Sequence, residues 1–266
     1  MVASLQQLAD SNLQLVQLVA TDVDGTLTSH QRFTPQLLTA LQALATAGIT
    51  VVLTTGRSAG WASALVHYLP VMGAIAENGG LYLTGDGDTL LLSAISDIDV
   101  HRQQLAQFFQ ELATTFPKLQ SSSDNAFRLT DWSFDVAGLT ESELSAIASC
   151  CQQRGWGFTY SNIQGHIKPL GQDKAIGLQQ LLARQFPQLT PQQVLTIGDS
   201  PNDEPMFNPE MFPLSIGVAN VLPYCGSEHS QIMCHLPRYV TNYPEVAGFC
   251  EIVQHLLLTH SETHRG

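Results

Sequence analysis

Apolar residues in the first third of the chain come in short unbroken runs separated by amphipathic stretches. Residues 15–21 (LVQLVAT) and 49–55 (ITVVLTT) are nearly continuous in apolar side chains, as expected of strands covered on both faces. Between them, Thr34-Pro35 opens a helical pattern through Leu37, Leu38, Leu41 and Leu44 that Gly48 closes. A second helical stretch covers residues 59–68, and GAIAENGG supplies a short strand leaving at Asn78-Gly79-Gly80. This alternation predicts a parallel sheet with crossover helices.

The rhythm changes at Leu81. LYLTGDGDTLLL reads as a hairpin, followed by a helix over residues 101–116 and a strand pair in AFRLTDWSFDVAG. Thr140 and Glu143 form a capping box for a helix running to Gly155, and WGFTYSNIQGHIKPL reads as a further hairpin. Such a block predicts an antiparallel sheet with helices on one face. The first pattern then returns: a helix over residues 174–186, strands in QVLTIGDS and PLSIGVAN, and a closing helix over residues 244–258, with SETHRG as a frayed tail. The expected architecture is α/β, a doubly wound Rossmann-like parallel-sheet core (residues 1–81 and 170–266) interrupted by an inserted α+β domain (residues 82–169).

Composition narrows the function. The formal net charge of −12 and the absence of any Lys/Arg cluster argue against nucleic acid and against anionic membranes. No apolar run approaches the length of a membrane span, and the first residues lack the basic start of a signal peptide. Five cysteines without metal spacing suggest reduced thiols, so a cytoplasmic location is expected.

The chemistry concentrates where strands end. In LVATDVDGTLT, a buried run finishes on Asp22 and Asp24, which share one side of the strand direction and leave the sheet at the edge where open α/β folds bind ligands. Two close carboxylates repel, so one must bind a cation, hold a proton or ionise late. GDSPND places Asp199 and Asp203 at the same edge, and several carboxylates around one point call for a hard cation with oxygen ligands, Mg²⁺. TTGR offers the Thr55 hydroxyl and the Gly56 amide. Lys174 opens a helix, where amides and dipole already favour an anion.

The ordered set Asp22-x-Asp24-Gly25-Thr26, Thr55-Gly56-Arg57, Lys174 and Gly198-Asp199-Ser200-x-Asn202-Asp203 resembles the haloacid dehalogenase superfamily, and the position of the insertion resembles its C2B-type cap of subfamily IIB. That group includes Cof-type sugar phosphatases, sucrose-phosphate phosphatase and mannosyl-3-phosphoglycerate phosphatase. The resemblance implies a phosphatase for a small phosphorylated metabolite, first a sugar phosphate, acting as monomer or homodimer. It implies Asp22 as nucleophile, Asp24 as acid and base, Thr55 and Lys174 on the phosphoryl oxygens, and Asn202 in the phosphate site. Mg²⁺ would be held by Asp22, the Asp24 carbonyl, Asp199 and, directly or through water, Asp203. Retention of the acid at Asp24 separates the chain from dehalogenases and phosphonatases. The compact GDSPND favours hydrolysis over a phosphomannomutase-like phosphotransfer; a non-catalytic binding regulator is the rival from another class. Arg57 reads as a phosphate contact or an ion pair, and Asn78 as a substrate contact or a turn residue. Arg128, Trp132, His166 and Lys168 are the cap side chains available to touch the leaving group, against a packing role for each.

Overall fold

A computed structural model describes residues 2–161, 163–226 and 233–263. The central strands are β2 (Leu18–Thr21), β3 (Thr50–Thr54), β4 (Gly73–Ala76), β10 (Val194–Gly198) and β11 (Leu214–Gly217), with β1 (Ala3–Ser4) and β12 (Tyr239–Val240) at one side. They pair in parallel, and the order β1-β12-β11-β10-β2-β3-β4 reverses direction of growth between β10 and β2. That reversal is where an open α/β sheet offers a crevice at its carboxyl edge.

Alternate residues of one strand serve opposite layers. Val19 packs with Leu37, Leu41 and Leu44 of α2 (Pro35–Thr46) and with Phe249 and Ile252 of α7 (Glu245–Thr263). Leu18 and Ala20 meet Ala175, Leu178 and Leu181 of α6 (Lys174–Gln185) on the other face. Both faces are therefore apolar, which is why the run is unbroken. Helix starts follow their caps: Thr34 precedes Pro35 in α2, Ser58 accepts from the Trp61 amide in α3 (Ala59–Tyr68), and Asp173 accepts from the Ile176 amide in α6.

The smaller sheet joins β7 (Trp132–Asp135), β9 (Gln164–Pro169) and β8 (Trp156–Tyr160), all antiparallel, in the order β7-β9-β8. Leu105, Phe108, Phe109 and Leu112 of α4 (Ile98–Thr115) and Ile147 and Cys151 of α5 (Glu141–Gln153) form its own core against Phe134 and Ile167.

Three expectations need correction. The hairpin β5 (Leu81–Thr84) and β6 (Thr89–Leu91), assigned from sequence to the insertion, extends the large sheet, with Ala76 opposite Leu81 and Ile75 opposite Tyr82. Leu81 and Leu83 face one layer and Tyr82 the other, so both sides of β5 are buried by core helices. The pair expected in AFRLTDWSFDVAG is a single strand, β7; Ser123–Phe127 is a 3₁₀ turn. Asn125 explains the bend, since its side chain accepts from the Ser133 amide and donates to the Ser133 carbonyl, doing what a partner strand would do. The tail also departs from expectation, because α7 continues through Thr263; residues 264–266 lie outside the described residues. All five cysteines are free, and among the described residues no helix is long and apolar enough to cross a membrane.

One buried carboxylate stitches the two sheets together. Glu77, fully buried just after β4, accepts from the amides of Ala59, Leu129 and Thr130 and from the Thr130 hydroxyl at 2.6–3.0 Å. Burial, reinforced by nearby Asp131, pushes its carboxyl up to about 7. A folded-state value above the unfolded one of 4.5 means that this group's stabilisation is complete below 4.5 and fades as pH rises towards 7. Glu77→Gln, whose amide would face donors, is expected to cost about 1–3 kcal/mol of unfolding free energy. Urea titrations between pH 4.5 and 7.5 check this, and the variant's stability should lose the wild type's decline across that interval.

Candidate active site

The carboxyl ends of β2, β3 and β10 converge. The Asp22 amide donates to the Ile197 carbonyl at 2.9 Å, which carries the chain from β2 out over the sheet edge. At Gly25, with φ of +88°, a Cβ would stand 2.5 Å from Asp199 Oδ2, so only glycine lets the turn pass this close. Thr26 donates its hydroxyl to Asp199 Oδ1 at 3.1 Å.

Asp22, Asp199 and Asp203 are buried, with one oxygen of each within 4.8 Å of the others. Lys174, entirely buried at the start of α6, places Nζ 2.6 Å from Asp22 Oδ1 and 2.6 Å from Asp203 Oδ1. Asp203 Oδ2 accepts from the Asp199 and Ser200 amides at 2.9 and 3.1 Å, so both its oxygens are engaged within the protein. At Gly198 a Cβ would lie 2.5 Å from the side chain of Asp203, which fixes the fit of this loop against the strand end.

Three carboxylates thus crowd one internal cation, which bonds two of them, Asp22 and Asp203. Burial, with repulsion from Asp203 and Asp24, pushes the Asp22 carboxyl up to about 7 despite Lys174. Burial and the charges of Asp22 and Asp203 raise Asp199 well above the carboxylate range. Lys174 is raised as well, which for a lysine favours the charged form: the two carboxylates outweigh burial and hold it above the ordinary lysine range. Asp22 Oδ2 is buried without a hydrogen-bond partner. An unpartnered oxygen beside excess negative charge fits an oxygen-coordinated divalent cation.

The other residues singled out from sequence divide. Asp24, half-buried, is held in a fork by Arg57, Nη2 to Oδ1 at 2.7 Å and Nε to Oδ2 at 2.9 Å. The guanidinium lies 4.8 Å over the Trp61 ring, so Arg57 is an ion-pair partner here. Thr55 is buried and its hydroxyl accepts from the Arg57 amide at 3.1 Å. Asn202 Oδ1 accepts from the Ser200 hydroxyl at 2.6 Å. Asn78 is buried against Gly56, with neither side-chain polar atom hydrogen-bonded. It does not line the cleft described next.

That cleft, of about 100 Å³, is walled on the core side by Asp22, Asp24, Gly56, Arg57, Ser200 and Asn202, and on the other side by Ser161, Ile163, Gln164 and His166. Of the four cap side chains considered from sequence, only His166 reaches it. Arg128 is spent on Asp124, Asp131 and the Gly56 carbonyl, Lys168 donates to the Gln172 carbonyl, and Trp132 packs into the small core. A roomier groove of about 930 Å³ between α2 and α7 has, among the described residues, His260 as its sole titratable lining group, which carries no such chemistry. Asn220, not foreseen from sequence, donates to Asp199 Oδ2 at 2.8 Å and to the Gly25 carbonyl at 3.1 Å. Its only sequence signal is an amide shortly after a buried strand.

A family model described as haloacid dehalogenase-like hydrolase matches residues 19–102 and 103–223. A phosphoglycolate phosphatase of Thermoplasma acidophilum is 27% identical over 195 residues, covering 73% of this chain and 81% of its own. One of Methanothrix thermoacetophila is 28% identical over 247 residues, covering 91% and 97%. Among solved structures, a Thermoplasma acidophilum protein superposes with a TM-score of 0.72 at 25% identity, over 91% of this chain and 99% of that one. A phosphatase of the haloalkanoate enzyme superfamily from Bacteroides thetaiotaomicron gives 0.67 at 19% identity, over 94% and 98%.

Proposed function

Because this chain belongs to the haloacid dehalogenase-like hydrolases and is a phosphoric monoester hydrolase, we propose that it dephosphorylates a small metabolite, a sugar phosphate first, through an aspartyl-phosphate on Asp22. The observation that carries the reading is the buried trio Asp22, Asp199 and Asp203 around Lys174 at the carboxyl edge of the sheet. An oxygen of Asp22 attacks phosphorus and the bond to the leaving alkoxide breaks, Asp24 giving the alkoxide its proton. Asp24 then takes a proton from water as that water attacks phosphorus, which frees phosphate and restores Asp22. Arg57 holds Asp24 at the cleft, and the first transfer requires a proton on the Asp24 oxygen that faces the alkoxide. Thr55, Gly56, Lys174 and Asn202 position the phosphoryl oxygens, and Asn78 supports the Gly56 turn from behind.

Mg²⁺ would be held by Asp22, the Asp24 backbone carbonyl and Asp199, supplying charge neutralisation at the phosphoryl group. Asp203 orients Lys174 and the Asp199 loop and would complete the site directly or through water. The same reading takes residues 92–169 as a cap that closes over the cleft and shapes it around small substrates.

The test is a panel of phosphate monoesters, including phosphoglycolate and hexose phosphates, assayed for free phosphate with Mg²⁺ and after chelation. Turnover should need the cation and no sugar acceptor. Mg²⁺ should also raise the thermal midpoint, more at pH 8 than at pH 5, since protons compete for Asp22 and Asp199. Hydrolysis untouched by chelation would overturn the metal assignment, and release seen only with an acceptor would favour phosphotransfer.

A further inference from the structure

The wall of the cleft opposite Asp22 is built on a buried ionic relay. His166 is 4% exposed, and its Nδ1 lies 2.9 Å from Asp131 Oδ2. Asp131 is entirely buried, and its other oxygen accepts from Arg128 Nη1 at 2.8 Å. Arg128, also without exposure, gives Nε and Nη2 to Asp124 at 3.1 and 2.8 Å and Nη1 to the Gly56 carbonyl at 3.0 Å. Gly56 itself lines the core side of the cleft. The relay therefore fixes the imidazole relative to the turn that receives the phosphoryl group, across the junction of the two sheets.

A carboxylate that is already paired with arginine can only accept, so it claims the proton on Nδ1 and leaves Nε2 of a neutral imidazole as a bare acceptor. Burial and the facing Arg128 charge hold His166 below the ordinary histidine range, while Asp131 and Asp124 pull it back in part. Among the described residues, the cap side of the cleft offers no lysine or arginine: Ser161, Ile163 and Gln164 are its other members. The nearby core cations, Arg57 and Lys174, are both paired with carboxylates.

Resting on the phosphatase reading, we propose that His166 selects the leaving group, its Nε2 accepting a hydrogen bond from a hydroxyl of the ester's organic part. Arg128 and Asp131 are the positioning residues. The enzyme therefore favours polyol and sugar monophosphates over esters ending in a carboxylate or a methyl group. Such a site has no charge to hold the carboxylate, and a methyl leaves the imidazole nitrogen unpaired.

Three sets of esters test this with the Mg²⁺-loaded protein: hydroxyl-bearing (2-hydroxyethyl, glycerol and hexose phosphates), carboxylate-bearing (phosphoglycolate) and plain (ethyl phosphate). In the wild type, kcat/KM for the best hydroxyl ester should exceed that for the other two by at least about 10-fold. His166→Asn keeps a donor towards Asp131 but removes Nε2, so the hydroxyl-to-ethyl ratio should fall towards one, mainly through KM. Asp131→Asn leaves Arg128 an oxygen and turns an amide donor to Nδ1. The proton then sits on Nε2, and preference should shift towards phosphoglycolate. A merely structural role would lower all esters together in both variants. That outcome, or a wild type that prefers phosphoglycolate, overturns the proposal while leaving the phosphatase reading intact. Failure to hydrolyse any ester overturns both.

Discussion

Asp22→Asn is expected to abolish phosphate release, with kcat/KM falling at least about 10³-fold on every ester, while the protein stays folded. The loss follows from the assigned chemistry: an amide oxygen is too poor a nucleophile to take up phosphorus, whatever holds the substrate. The fold should survive because the amide has the carboxylate's shape and keeps an oxygen for Lys174, now 2.6 Å from Asp22 Oδ1. Asp22 is also a strained place for a charge. Its second oxygen has no partner, and burial with two neighbouring aspartates raises its carboxyl to about 7. Removing that charge relieves repulsion with Asp203 and Asp24 while weakening one lysine contact. The thermal midpoint should move by no more than roughly 3 °C, since about 1 kcal/mol corresponds to a few degrees at this size. Phosphate release and circular dichroism melts on the same preparations decide it. Turnover equal to wild type would remove Asp22 from the mechanism.

How much of this could be read in the chain depends on whether a residue's role is local. β2, β3 and β10 were legible because both faces are buried, so the apolar run itself is the signal. The aspartates were legible because they interrupt such runs at the sheet edge. The hairpin over residues 81–91 reads as part of the insertion, and not of the large sheet it joins, for a related reason. LYL reads as a buried strand, but nothing local says which neighbour buries it; that is fixed by pairing with β4. Arg57 has its partner 33 positions away and Asn220 reaches Asp199 from 21 positions on, distances at which sequence spacing carries no geometry. Glu77 was hidden by its type. A glutamate beside Asn-Gly-Gly looks like a solvated turn, and only the assembled junction supplies the donors that let it be buried.

Lys174→Met should have the other large effect, on stability as well as turnover. The methionine fills much of the same volume but takes the internal cation from three carboxylates within 4.8 Å of one another. Breaking a buried ion pair from one side costs about 3–5 kcal/mol, because the stranded charges pay desolvation without compensation. For a chain of this size the midpoint should fall by roughly 10 °C. The loss should depend on pH in a defined direction. Without Lys174 the carboxyls of Asp22 and Asp199, already raised, bind protons more tightly in the folded than in the unfolded chain, so stability is lost as pH rises from about 4 through their raised values. The deficit against wild type should therefore be small at pH 5 and large at pH 8, and Mg²⁺ should recover part of it at pH 8 by supplying the missing positive charge. Turnover should drop by about 10²–10³-fold even with the cation present, because the phosphoryl oxygens lose a fixed partner. Melts at the two pH values, with and without Mg²⁺, separate this from a simple packing defect. A defect would shift the midpoint equally in all four conditions, and the electrostatic account of the site would then be wrong.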